Sequence, residues 1–99
     1  MDVTALLASS LLLVSCTHPV QNFKNMMDDK VGLPIDHPAA LAARPHEWSI
    51  GHTTLPNGNI EEGYRGPRTC RYFFEIDKAT NKIVGWRSEG QEGDCRVAS

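Results

Sequence analysis

Residues 69–77 read Thr-Cys-Arg-Tyr-Phe-Phe-Glu-Ile-Asp, and residues 82–89 read Lys-Ile-Val-Gly-Trp-Arg-Ser-Glu. Both runs are dense in aromatic and β-branched side chains, and only the polar tetrapeptide Lys78-Ala79-Thr80-Asn81 separates them. Runs of this kind around a short polar loop predict a β-hairpin, with Asn81 suited to the left-handed backbone that such a loop needs. A loop of four residues pairs Asp77 with Lys82, and counting outward sets Phe74 opposite Gly85, Phe73 opposite Trp86 and Tyr72 opposite Arg87. Side chains alternate along a strand, so Phe73, Val84 and Trp86 fall on one face and Tyr72, Phe74, Ile76 and Ile83 on the other. With apolar residues on both faces, the hairpin is expected at the centre of a sheet, with a helix over one side. Gly85 is expected to leave room for Phe74, and Phe73 with Trp86 to form a structural cross-strand pair.

A second hairpin is predicted just upstream. Residues 47–55 alternate loosely, Asn57-Gly58 suggests a type I′ turn, and residues 59–65 return before Gly66-Pro67. That turn pairs Leu55 with Ile60, Thr53 with Glu62 and Gly51 with Tyr64, leaving Pro56 at a strand end where its missing N–H is tolerated. Ahead of the strands the grammar is helical. Asn22 is a candidate cap for a helix over residues 23–31, with Phe23, Met26 or Met27, and Lys30 or Val31 on one stripe and Gly32 as the stop. Asp36 is a candidate cap for a shorter helix over residues 39–43, with Pro38 in its first turn and Arg44-Pro45 ending it. The expected fold is α+β: one or two short N-terminal helices packed on a four-stranded antiparallel meander sheet, forming a single domain over residues 22–99.

Residues 3–14 are apolar and unbroken by charge, Gly or Pro. Twelve residues fall short of the roughly 20 that a helix needs to span a bilayer, and suit the core of a signal peptide. The competing assignment is a buried N-terminal helix. Met1-Asp2 ahead of the run carries no Lys or Arg, a departure from the usual signal pattern. The residues that follow, Leu13-Val14-Ser15-Cys16, resemble the lipobox of bacterial lipoprotein precursors. The large Leu13 at position −3 argues against ordinary signal-peptide cleavage. The resemblance implies cleavage before Cys16, diacylation of its sulfur and acylation of the new amine. Residues 1–15 are then a signal peptide, and residues 16–21 a lipidated cysteine with its tether. Each buried methylene adds about 0.8 kcal/mol of membrane affinity, so several acyl chains hold a soluble domain to a bilayer. Thr17 after the cysteine, in place of Asp, implies sorting to the inner leaflet of the outer membrane.

With Cys16 lipidated, two of the three cysteines remain. Cys70 and Cys95 are expected to pair in the oxidising periplasm, the alternative being two free thiols. The rest of the chain offers little catalytic chemistry. His18, His37, His46 and His52 lack the spacing that preorganises a metal site. Glu61 and Glu62 are strand neighbours pointing to opposite faces, and no Ser/His/Asp order, Gly-rich phosphate loop or nucleotide signature is present. No catalytic residue, metal ligand or cofactor is therefore assigned. The mature part has 10 basic residues and, with Asp2 removed, one fewer than the 12 acidic residues of the whole chain, which gives no electrostatic reason to expect nucleic acid. Arg65, Arg71 and Arg87 lie on the later strands as a candidate binding surface, with Arg71 and Arg87 on opposite faces and Arg87 over Tyr72. Arg68 and Arg96 lie beside those strands.

The segments Cys70-Arg71-Tyr72-Phe73-Phe74-Glu75-Ile76-Asp77 and Lys82-Ile83-Val84-Gly85-Trp86-Arg87 look like the C-terminal half of small proteobacterial envelope lipoproteins. The plan of lipid cysteine, helix and meander strands is similar to the SmpA/OmlA (BamE) outer-membrane lipoproteins. Val31-Gly32-Leu33-Pro34 resembles the helix-ending Leu-Gly-x-Pro of that group, and Trp48 its first-strand aromatic. The Gly-Met-Thr-like helix start of the group is absent and the first helix is shorter. The resemblance implies an envelope interaction protein, held to the membrane by lipid, that binds another envelope protein or supports outer-membrane assembly, with no catalytic residues. The alternative expectation is a small periplasmic inhibitor or ligand-binding module.

Overall fold

The computed structural model describes residues 18–97. The expected signal peptide, Cys16 and Thr17 lie outside the described residues. Within them the chain is α+β, as expected. Helix α1 (Pro19–Lys30) is followed by the short helix α2 (Pro38–Ala42) and a 3₁₀ turn (His46–Trp48). Strands β1 (Ser49–Thr54), β2 (Ile60–Arg65), β3 (Arg71–Ile76) and β4 (Ile83–Glu89) then form one four-stranded antiparallel sheet in chain order.

Both helices begin elsewhere than expected, and proline is the reason. Pro19 takes the first position of α1, where its fixed φ suits the helix and its missing N–H leaves no bond unmade. The Asn22 N–H donates to the His18 carbonyl at 2.8 Å, so Asn22 lies inside the first turn and does not cap it. Residues 19–21, expected as tether, belong to the domain. Pro38 fixes the first position of α2 in the same way, so the cap falls to His37, whose Nδ1 accepts the Ala39 N–H at 3.0 Å; Asp36 lies one residue too early. Gly32, at φ +94°, ends the first helical segment as expected.

The core lies between one face of the sheet and the two helices. Phe23 and Met27 of α1 and Ala40 and Ala43 of the α2 region meet Tyr64, Tyr72, Phe74, Ile76 and Ile83. The Phe23 ring stands edge-on to Tyr72 at 6.0 Å and to Trp86 at 5.9 Å, the offset geometry that aromatic quadrupoles favour. The Tyr72 hydroxyl donates to the Ala43 carbonyl at 3.0 Å and fixes the end of α2 over the sheet. The Trp86 indole N–H donates to Asp28 at 2.8 Å and ties β4 to α1.

The first hairpin closes differently from the type I′ expectation. The Gly58 N–H donates to the Leu55 carbonyl at 2.9 Å, and the Leu55 N–H to the Asn59 carbonyl at 2.8 Å. Pro56 and Asn57 are therefore the central turn residues, and Gly58, at φ +88°, supplies the left-handed step that completes a three-residue loop. Pro56 decides this outcome, because its φ suits the first central position of a turn and moves Asn57-Gly58 along by one. Thr54 consequently faces Ile60, Thr53 faces Glu61 and His52 faces Glu62. A bulge at Ile50 then brings Ser49 opposite Tyr64.

The second hairpin starts as counted, since the Asp77 N–H donates to the Lys82 carbonyl at 2.9 Å and Asn81 has φ +57°. A bulge follows at once. Ile76 faces Ile83, but Glu75 faces Gly85, so Val84 is the extra residue on β4. The slip carries Trp86 to the core face opposite Phe74, and Phe73 faces Arg87. The expected pairs of Phe73 with Trp86 and Phe74 with Gly85 do not form. The grouping of Tyr72, Phe74, Ile76 and Ile83 on one buried face does hold.

The second hairpin is not central either, because β4 is an edge strand. The post-helix segment covers its beginning: the Gly32 N–H donates to the Ile83 carbonyl at 2.7 Å, and the Ile83 N–H to the Leu33 carbonyl at 2.9 Å. At the C-terminal end, Cys70 and Cys95 form a disulfide with Cα atoms 4.9 Å apart. Asp94 accepts the Thr69 N–H at 3.1 Å and the Thr69 hydroxyl at 2.5 Å. The Val97 N–H donates to the Pro19 carbonyl at 3.1 Å, which brings the end of the described chain to the start of α1.

Candidate functional site

The bulge at Val84 has a consequence for the arginines. Across β2, β3 and β4 the register places Arg65 opposite Arg71, Gly63 opposite Phe73, Phe73 opposite Arg87 and Arg71 opposite Glu89. These residues share the sheet face turned away from the core, so Arg65, Arg71 and Arg87 lie on one surface. The expected placement of Arg71 and Arg87 on opposite faces fails for the same reason as the Phe73–Trp86 pair. Arg87 stacks on Phe73, with its guanidinium carbon 3.9 Å from the ring centroid, and not on Tyr72.

Arg87 is fully engaged. Its Nε and Nη2 grip Glu61 at 2.9 and 2.8 Å, and its Nη1 donates to Glu89 at 3.0 Å. The hydrogen bond to Glu61 holds the guanidinium above its ordinary pKa and holds the Glu61 carboxyl below its own. Arg65 and Arg71 differ: among the described residues neither has a carboxylate within salt-bridge distance, and Arg71 reaches only the Thr69 carbonyl at 3.4 Å. Like charges directly opposed across two strands destabilise a sheet modestly.

Between the arginines lies an apolar centre. Phe73 and Ile50 close over Gly63 from either side, and a Cβ built there would stand 2.6 Å from the Phe73 ring and 2.9 Å from Ile50. Ile50 is 42% exposed and Val84 47%. The surface thus has an aromatic and aliphatic middle, one arginine locked by carboxylates and two with no carboxylate in reach among the described residues.

A second feature lies at the border of this surface, where the helices meet the strand ends. A groove of about 510 Å³ runs between Phe23 and Met26 of α1, Ala43 and Pro45 after α2, and Tyr72 of β3. Trp48, 48% exposed, is one wall, and Arg65, Arg68 and Arg96 stand around the opening. Arg68 adopts φ +52°, uncommon for a side-chain-bearing residue, in the loop that the Cys70–Cys95 and Thr69–Asp94 links hold. Its only carboxylate contact among the described residues is Asp94 at 3.7 Å.

A smaller hollow of about 330 Å³ is polar, lined by Arg44, His46, Ser49, Gly51, His52, Glu62 and Tyr64. Its charged groups are engaged with each other. Arg44 donates to Glu62 at 2.9 Å and to the Ile35 carbonyl at 2.7 Å, and Tyr64 donates to the same Glu62 oxygen at 2.8 Å. Burial, together with the hydrogen bond to Glu62, pushes the Tyr64 hydroxyl up to about 12. Burial opposes the charge on Arg44, yet the bond and attraction to Glu62 outweigh it and hold the guanidinium above its ordinary value. A carboxylate shared by an arginine and a tyrosine, with little exposure, reads as a device that fixes β2 against the α2 region.

Of the histidines, His37 is a helix cap and His46 and His52 flank the polar hollow. Among the described residues, no group of three or more His, Cys, Asp or Glu is placed to hold a metal ion. No helix among them is long and apolar enough to cross a membrane. The sequence reading missed the groove, because its lining comes from segments far apart in the chain. Arg68 and Arg96 gave only their charge, and Trp48 entered only as a strand aromatic. Compared with known proteins, the chain matches no family model, no curated protein and no solved structure.

Proposed function

We propose that this chain is a lipid-anchored, non-catalytic envelope protein that binds an acidic patch on another envelope protein through the uncovered face of its sheet. The observation that carries the reading is the gathering of Arg65, Arg71 and Arg87 on one face around Phe73 and Ile50, with Arg65 and Arg71 lacking carboxylate partners among the described residues. Arginine and aromatic side chains are the residue types that most often carry binding energy at interfaces. Acidic groups on a partner would supply what Arg65 and Arg71 lack. Support for the anchor is separate. Cys70 and Cys95 are consumed by their disulfide, which leaves Cys16, after an apolar run, as the odd cysteine.

The test places a photocrosslinking amino acid at Thr53 or Glu75 on the uncovered face, and at Gln21 on α1 as a control, in the full chain in cells. The expected result is an envelope protein crosslinked from the sheet face and not from α1, and lost on Arg65→Glu with Arg71→Glu. Equal crosslinking from α1, or capture that ignores the arginines, would sink the reading. Recovery of a soluble hydrolase would favour an inhibitor.

A further inference from the structure

The arginine-rimmed groove is a distinct feature, and its chemistry is narrower than that of the sheet face. We propose that it binds a single-chain fatty acid, with the acyl chain along Phe23, Met26, Trp48 and Tyr72 and the carboxylate at Arg65, Arg68 and Arg96. The groove's volume of about 510 Å³ falls within the roughly 300–1,000 Å³ of small-molecule sites. Its walls come from Phe, Met, Ala, Pro, Trp, Tyr and Val side chains, and its charged lining residues are all arginine. An apolar trough whose charged lining is arginine matches a ligand with one anionic head and an apolar tail.

The same walls discriminate against a peptide. Among the described residues the only hydroxyl in the lining, on Tyr72, is already donated to the Ala43 carbonyl. The Gly66 and Val97 N–H groups are likewise donated, to the Cys70 and Pro19 carbonyls. A peptide backbone laid along Phe23, Met26 and Ala43 would bury amides against side chains that offer no hydrogen bond, which is unfavourable. An acyl chain brings no such groups, and each methylene it buries tightens binding about fourfold. At the mouth, Arg65 has no carboxylate partner among the described residues, and Arg68 is only loosely held by Asp94.

The test uses the full chain in living cells supplied with an alkyne-tagged fatty acid that carries a photoreactive diazirine. Irradiation should give light-dependent adducts with the mass of the free acid on peptides containing Trp48, Tyr72 or Val97. Arg65→Gln combined with Arg96→Gln should lower that yield at least tenfold, while Lys24→Gln on the exposed side of α1 leaves it unchanged. All three positions are exposed, and the Cys70–Cys95 bridge in the same digest reports that the variants have folded. The proposal is overturned by adducts of diacyl-phospholipid mass, by adducts scattered over the uncovered sheet face, by a yield indifferent to the arginines, or by no light-dependent adduct in the groove. Acylation of Cys16 needs no light and appears on another peptide, so the anchor is decided independently.

Discussion

Two strand glycines with ordinary backbone angles make a matched pair of perturbations. A Cβ at Gly63 would stand 2.6 and 2.8 Å from two carbons of the Phe73 ring and 2.9 Å from Ile50, whereas one at Gly85 would meet nothing within 4 Å. In Gly63→Ala the ring must leave its seat, and it takes the Arg87 stack with it. Forcing a methyl into occupied space costs about 1–3 kcal/mol, and the cation–π contact contributes about 0.5–1 kcal/mol. Because Phe73 is half-buried and can swing toward solvent, these costs overlap, and the expected loss is about 2 kcal/mol. Gly85→Ala places a methyl in open space and removes the entropic penalty of a strand glycine, so the expected change is neutral to about 0.5–1 kcal/mol stabilising. Urea unfolding followed by circular dichroism measures both. With an m-value of about 1–1.5 kcal/mol/M for so small a domain, the two midpoints should differ by roughly 2 M. If Gly85→Ala is the damaging variant, the bulge at Val84 is absent and Phe74 does lie across Gly85, as the uninterrupted hairpin count requires. Equal, small effects would refute the close packing of Phe73 over Gly63.

Further outcomes follow from other contacts. Trp86→Ala removes the contact with Phe23 and the bond to Asp28 and, as the indole is only partly buried, should cost about 2–3 kcal/mol, below the 3–5 typical of a buried aromatic; Trp86→Phe should cost about 1 kcal/mol. Stability within 0.5 kcal/mol of wild type in the alanine variant, measured by urea unfolding, would show that α1 is not held there. Cys95→Ser should cost up to about 3.5 kcal/mol by loop closure, and mass spectrometry of the oxidised wild type should find the bridged peptide. The Tyr64 hydroxyl, 5% exposed as a residue, titrates near 12 when folded and near 10 when unfolded, so its contribution is complete below pH 10 and is lost as the pH climbs toward 12. The drop should be on the order of 2 kcal/mol between pH 9 and 12 and smaller in Tyr64→Phe, as read from urea midpoints. Fatty-acid label should attach to the wild-type chain and vanish in Cys16→Ala; label that survives the substitution removes the anchor.

The sequence carried the element types and their order well, because they depend on local patterns. Aromatic and β-branched runs around polar loops marked the strands, and proline and glycine marked the boundaries. Register was legible only as far as the first irregularity. Val84 and Ile50 are ordinary strand residues, and nothing in a β-branched side chain announces that its backbone will bulge. One such slip carried Trp86 away from Phe73 to the core face and brought Arg87 onto the surface of Arg71. At the first turn the competing signal was present: Pro56 outranked the Asn57-Gly58 pair, since a fixed φ is a stronger constraint than a tolerance for positive φ. The groove could not be read at all, because no local pattern encodes the meeting of α1, the 3₁₀ turn and the residues after the disulfide.

The meander order of the sheet also bears on the route by which the chain becomes native. Within the sheet each described strand pairs with the strand next to it in sequence, so the closing loops are short and the entropy lost before the first contacts form is small. Helix α1 must travel furthest, to reach β4, and the last residues must turn back to the start of β3. Cys95 then meets Cys70 on a surface already shaped by Thr69, Asp94 and the paired strands. Oxidation of Cys70 and Cys95 closes a loop between segments that the hairpins and the Thr69–Asp94 bonds already hold together, and with Cys16 acylated as proposed each of the two thiols has a single partner to find.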